Sequence, residues 1–341
     1  MLSFRTKKIL SIIVEKYVET QEPVGSQTIL DCISNSFDVS SATIRNDMMK
    51  MKSLGFIQQP HTSAGSIPTE LGYQEYVKIL KEQETPNIES IPFIDSILDD
   101  ETKHIDDAVK ESMELVSNLT NYTAIVLGPE GASAKIKRIN FVSLGDDYGV
   151  LILVTDTGYV ESKKIKLPDY ILSSEIEKTI SFLNELVVDK EVREIETALK
   201  DRLLHNEINE YSSFYDMVIA ALVKTLSVMA QEDYFLSGKT NIIKQPEFKD
   251  ADKIRDLIDL LENKELFGKM AINKDKPEIR IGTENKISIL NDCAIVSVPY
   301  EIDGKKWAIA MVGPTRMEYH KIIPLLEYIA KRIKKTTKED K

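Results

Sequence analysis

Cysteine is nearly absent from this 341-residue chain: Cys32 and Cys293 stand far apart and neither has a CxxC partner. That spacing excludes a disulfide-stapled scaffold and a cysteine-based zinc cluster, and it reads as two buried thiols in a reducing cytosol. The four histidines (His61, His104, His205, His320) are isolated, and the chain holds no HExxH and no GxSxG. No enzyme activity, metal site or cofactor is therefore expected. Long apolar runs are missing too, since even Ser213–Gln231 is broken by Asp216 and Lys224, whereas a membrane span needs roughly 18 such residues in a row. The opening run MLSFRTKKILSIIVEKY carries charges inside its apolar stretch, unlike a secretory leader, which points to the cytoplasm and away from any membrane. Twelve prolines and fourteen glycines are too few for a collagen-like or linker-dominated protein.

What is present is ordinary core material, 42% apolar and 29% charged residues, enough for two or three domains. The net charge of −11 excludes a uniformly basic coat for nucleic acid but not a small DNA-reading head on an acidic body. Residues 1–60 carry seven basic side chains (Arg5, Lys7, Lys8, Lys16, Arg45, Lys50, Lys52) and six acidic ones (Glu15, Glu19, Glu22, Asp31, Asp38, Asp47). The acidity thus belongs to the rest of the chain.

Ile9, Ile12, Ile13 and Tyr17 recur at helical spacing and predict a first helix over 5–20. Pro23-Val24-Gly25-Ser26 breaks it, with Ser26 as the cap of a second helix, Gln27–Ile33. After a turn through Asn35–Asp38, a third helix opens at Ser40/Ser41 and runs to about Leu54, closed by Gly55. Two short apolar pieces, Phe56-Ile57 and Ser66-Ile67, flank the loop QQPHTSAG and predict a hairpin. Thr69 caps a further helix carrying Tyr73, Tyr76, Val77 and Leu80. Three helices and a hairpin are the order of a winged helix-turn-helix, expected over 1–82, and the polar stretch after Lys81 predicts a linker over 83–100. The remainder reads as α+β: a helix over 100–121, strand-like runs at 123–127, 136–144, 150–155 and 159–165, mostly helical sequence over 170–231, further strands near 279–282, 294–299 and 307–312, and a last helix with Ile322, Leu325, Leu326, Ile329 and Ile333. Two strand blocks around the helical stretch predict one sheet domain with a helical insertion.

At 100° per residue, Ile44, Met48 and Met51 of the third helix fall within about 60° of one another and form a buried stripe. Ala42, Asn46 and Met49 then face outward, flanked by Arg45 and Lys50. That face suits a major groove: Ala42 against a thymine methyl, Asn46 on adenine, Arg45 on a guanine edge or a phosphate. Ser40, Ser41 and Thr43 at the helix start are phosphate candidates. The alternative is a core helix whose polar side faces water. Gln59, His61, Thr62 and Ser63 lie in the wing loop, where they can bond the backbone or the minor groove.

The string EPVGSQTIL…VSSATIRNDMMKMKSLGFIQQPHTSAGSIPTELGYQEYV resembles the N-terminal signature of the HrcA family of bacterial heat-inducible repressors, and PHTSAG-x-IPT followed by GY is its rarest part. The resemblance implies a winged-helix head, a GAF-like α/β domain over 101–169 and 232–341, and an inserted helical dimerisation domain over 170–231. It further implies a homodimer on double-stranded DNA, at an inverted-repeat operator called CIRCE upstream of chaperone genes, with activity modulated by the GroEL-type chaperonin. Two positions depart from the family pattern: Ser66 and Gln74 stand where arginines are usual. If both contacted phosphate, the salt dependence of binding would fall by roughly 0.9 for each lost site. VSSATIRND is also similar to metabolite-sensing repressors of the DeoR type. That alternative would need a phosphate cradle in the body, for which Gly128-Pro129-Glu130-Gly131 and Leu236-Ser237-Gly238-Lys239-Thr240 are the candidates.

Overall fold

In the computed structural model the described residues are 2–339, except 34–36, 62–63, 84–87, 89, 104, 131–133, 146, 157, 159, 169–170, 193, 196, 200–212, 230–231, 264–266, 268–271, 274 and 303–304. They form two compact units, one of residues 1–126 with 235–341 and one of residues 127–234.

The first unit begins with α1 (Phe4–Thr20), α2 (Ser26–Ile33) and α3 (Ser41–Ser53), followed by β1 (Ile57–Gln58), β2 (Ile67–Pro68) and α4 (Glu70–Glu82). Ser26 is the first residue of α2 rather than its cap. β1 and β2 pair antiparallel, Ile57 with Pro68 and Gln58 with Ile67. Val24 adds a third rung by exchanging backbone hydrogen bonds of 2.9 Å with Ser66. The glycines of the signature make these approaches possible. A Cβ on Gly65 would stand 2.5–2.6 Å from the backbone of Pro23 and Val24, and one on Gly72 would collide with the Phe56 carbonyl. Thr69 caps α4, its hydroxyl accepting from Gly72 N at 3.1 Å and donating to the Gly55 carbonyl at 2.6 Å.

The segment expected as linker contains a helix, α5 (Pro92–Leu98), with Ile94 and Leu98 buried. Pro92 starts it, and the apolar side chains fall four apart, a pattern that a reading for polar composition overlooks. α6 (Ile105–Thr120) then leads into a five-stranded sheet ordered β7-β3-β10-β9-β8, made of β3 (Thr123–Glu130), β7 (Glu232–Ser237), β8 (Glu278–Ile281), β9 (Cys293–Ile302) and β10 (Lys305–Pro314). Trp307 is buried in the sheet and stacks on Tyr300, ring centroids 5.9 Å apart.

Head and sheet share one apolar core, running from Ile9, Ile13, Ile44 and Tyr76 to Ile309, Tyr319 and Ile329. Tyr73 of α4 packs on Tyr319, centroids 6.3 Å apart. The Glu70 carboxylate accepts from Thr283 N at 3.0 Å and Thr283 Oγ1 at 2.5 Å. The last helix of the chain (Tyr319–Glu339) also clamps α5: Arg332 donates to Asp95 at 3.0 Å and to Asp99 at 2.6 Å, and Tyr328 donates to Asp95. Burial alone would raise the Asp95 carboxyl, but the donors Ser90, Tyr328 and Arg332 outweigh it and hold the group below its ordinary value.

In the second unit, β4 (Ile136–Ser143), β5 (Tyr148–Thr155) and β6 (Val160–Lys166) make a separate antiparallel sheet. Ile139, Leu151 and Leu153 on one face share a core with α7 (Ser173–Val187) and α8 (Ser213–Met229) through Leu183, Val218 and Leu222. The expected helical insertion of 170–231 therefore lies inside a larger unit that begins at Leu127 and brings its own strands. Gly128–Glu130 belongs to β3, Gly131 is outside the described residues, and Lys239 is paired with Glu262 at 2.6 Å. Among the described residues, 128–130 are thus strand, and Gly238 leads into a short 3-10 helix, Lys239–Lys244.

Candidate nucleic-acid interface

Ser40 caps α3 with its side-chain oxygen, accepting from Thr43 N at 3.3 Å. This satisfies one of the orphan donors at the helix start and fixes where the helix begins. Ile44 and Met51 are fully buried and Met48 partly so, as the 3.6-residue period requires. On the opposite side Ser40, Ala42, Arg45, Asn46, Met49 and Lys50 are exposed, with Ser41 and Thr43 half-buried. Met49 is 61% exposed, a large apolar side chain whose exposure costs free energy in water. Lys50 and Lys52 occupy the last turn, where positive charge complements the helix dipole.

Two tethers fix this helix laterally. Arg45 Nε donates to Ser26 Oγ on α2 at 3.4 Å. On the other flank Arg5 of α1 donates to Asp47 from Nε at 2.8 Å and from a terminal nitrogen at 3.4 Å. The hydrogen bond to Asp47, reinforced by its charge, holds the Arg5 guanidinium above its ordinary value. Reading the sequence singled out neither Ser26 nor Arg5 as partners of α3. The Arg5–Asp47 pair spans 42 residues, a separation at which periodicity carries no signal.

The wing is braced from α3. Lys52 Nζ donates to Gln59 Oε1 at 2.8 Å, and Gln59 Nε2 reaches the Ala64 carbonyl at 3.3 Å. Gln59 thus closes the base of its loop, and His61 stands exposed beyond it. Thr62 and Ser63 fall outside the described residues. Among the described residues no group of His, Cys, Asp and Glu could hold a metal ion. The two departures from the signature do not line the exposed face of α3. Ser66 is buried, with its backbone on Val24, and Gln74 donates to Glu70 at 3.2 Å, beside the contact with Thr283. Cys32 is exposed and Cys293 buried, so one of the two expected buried thiols lies at the surface: Cys32 is on the outer side of α2, whose buried residues are Ile29 and Ile33.

Among the described residues no helix is long and apolar enough to cross a membrane. Residues 1–84 match the family model for the winged helix-turn-helix transcription repressor, HrcA DNA-binding, and residues 106–323 match the HrcA protein C-terminal domain. The heat-inducible transcription repressor HrcA of Acholeplasma laidlawii (strain PG-8A) is 36% identical over 341 residues, 100% of this chain and 99% of its own length. That of Brevibacillus brevis is 38% identical over 338 residues, 97% of this chain and 96% of its own. A crystal structure of a hypothetical protein, 25% identical, superposes with a TM-score of 0.75 over 100% of both chains. The chain belongs to the HrcA family of heat-inducible transcription repressors, with a winged-helix DNA-binding domain at its N-terminus.

Proposed function

We propose that the protein represses chaperone genes by binding, as a homodimer in the cytoplasm, the inverted-repeat operator CIRCE, with α3 in the major groove and the wing alongside. The reading rests on one observation: α3 turns Ala42, Asn46 and Met49 outward while Ile44 and Met51 are wholly buried behind them. Asn46 reads a base edge, Arg45 on the flank meets a guanine edge or a phosphate, Ala42 and Met49 make apolar contacts, and Ser40, Ser41, Thr43 and Lys50 meet phosphates. Gln59, His61, Thr62 and Ser63 form the wing contact.

One head reads too little DNA to be selective, since a mismatch costs about 1–3 kcal/mol and a single module buries only about 600–1,000 Å². Two-fold pairing doubles the reading length. Support for pairing through the inserted unit comes from its sheet. Val142, Val150, Val154 and Val160 alternate onto the face away from α7 and α8, and Val142 and Val160 are exposed. The five-stranded sheet with its flanking helices is the GAF-like part of this reading. The chaperonin raises the fraction of chains in the competent fold, and heat diverts it to other clients. The DeoR-like alternative is not favoured, because residues 128–130 lie in β3 and Lys239–Lys244 is a short 3-10 helix whose Lys239 side chain is paired with Glu262.

The test is a mobility shift on a labelled inverted-repeat duplex with wild type, Asn46→Ala and Arg45→Ala. Loss of preference for the operator over scrambled duplex with Asn46→Ala supports base reading. An unchanged preference in both variants overturns it.

A further inference from the structure

A helix with its side chains is about 10–12 Å across and fills a major groove about 12 Å wide, so both of its flanks run beside phosphate strands. On α3 those flanks are chemically distinct. Arg45 and Asp47 are two residues apart, about 200° around the helix axis, which places them on opposite sides of the outward face. Arg45, tied to Ser26, supplies a cation on one side. The other side carries the Asp47 carboxylate, which by itself would repel the backbone. Arg5 neutralises it: the Asp47 side chain is 13% exposed beneath the pair and the Arg5 side chain 38% exposed above it. Two of the five guanidinium donors are directed at Asp47, which lies about 60° from Lys50 around the helix axis, and the partly exposed Arg5 side chain keeps its other N–H groups.

We propose that Arg5 contacts a DNA phosphate on the α3 flank opposite Arg45, and that Asp47 is the positioning residue that aims it. The proposal rests on the reading of α3 as the groove helix and adds to it a residue from α1, outside the helix-turn-helix. Arginine suits the position because its fork bonds a carboxylate along one edge and leaves other N–H groups for a phosphate.

The experiment measures equilibrium binding of the full-length chain to the labelled inverted-repeat duplex between 50 and 200 mM salt, with thermal melts of each variant alongside. Arg5→Ala lowers the slope of log affinity against log salt by about 0.9 per head, and Arg5→Lys, which keeps the charge, leaves it near wild type. In an Asp47→Asn background the drop caused by Arg5→Ala is smaller, because the guanidinium is no longer aimed. A wild-type slope in Arg5→Ala, or the same drop in Arg5→Lys, overturns the phosphate contact. Equal drops in both backgrounds overturn the role of Asp47. A wild type with no preference for the inverted repeat sinks the groove reading and the proposal with it, whereas a selective wild type with an unchanged Arg5→Ala slope sinks the proposal alone.

Discussion

Replacing Gly72 by alanine drives a methyl carbon into the carbonyl oxygen of Phe56. That oxygen cannot step aside freely, because it accepts the Thr69 N–H at 3.1 Å in the turn that caps α4. Overpacking against fixed backbone costs about 1–3 kcal/mol, and displacing the hydrogen bond adds about 1 kcal/mol. The better helix propensity of alanine returns about 1 kcal/mol, leaving a net loss of about 2 kcal/mol. Because head and sheet share one core, the loss appears in the main unfolding transition, as a fall in Tm of about 4–8 °C for a unit of this size. Differential scanning calorimetry of wild type and Gly72→Ala measures it directly. The wing strands lean on the same turn, so operator affinity falls as well. An unchanged Tm would refute the reasoning, since it would mean that α4 does not approach Phe56 so closely.

Tyr73→Phe removes a buried hydroxyl that has no hydrogen-bond partner among the described residues, and whose ionisation burial pushes far above the ordinary tyrosine range. Tm should rise by about 2–4 °C, for a gain of about 1 kcal/mol; a fall of that size would show that the hydroxyl has a partner in solution. A thiol-disulfide reagent at neutral pH should label one cysteine quickly. Cys32 is exposed, while Cys293 is buried and its thiol is pushed up to about 12 by burial, with Asp292 adding to the rise. Since the thiolate is the reactive form, Cys293 should react only in denaturant, and rapid modification of both in the native protein would contradict the burial.

The part of the interface carried by periodicity was legible: the stripe of Ile44 and Met51, the outward set around Asn46, the Ser40 start and the Gly55 end of α3. The tight hairpin was legible as well, because only Gly65 lets residue 65 lie against Val24. Strand partners were not legible. The runs at 136–144 and 294–299 look alike as β-branched sequence, yet they belong to different sheets, since alternation fixes a strand's faces and says nothing of its neighbours. The helix Ala251–Glu262 carries Leu257, Leu260 and Leu261 on a buried side behind an Asp250 cap. The Asp250 cap and the leucines at helical spacing are both local signals of that helix, which the reading of strand blocks passed over. The arginines missing at Ser66 and Gln74 illustrate the opposite limit. Their motif is local, but the surroundings of both side chains are tertiary.

The core continuous from Ile9 to Ile329 leaves α3 no swivel relative to the sheet in the same unit. In the proposed pair, each recognition helix therefore moves together with its own sheet and not on a tether. Each base pair added between half-sites turns the far one by roughly 34°, a rotation that cannot be taken up between α3 and its own sheet. In the proposed pair, a changed operator gap therefore loads core residues that never touch DNA.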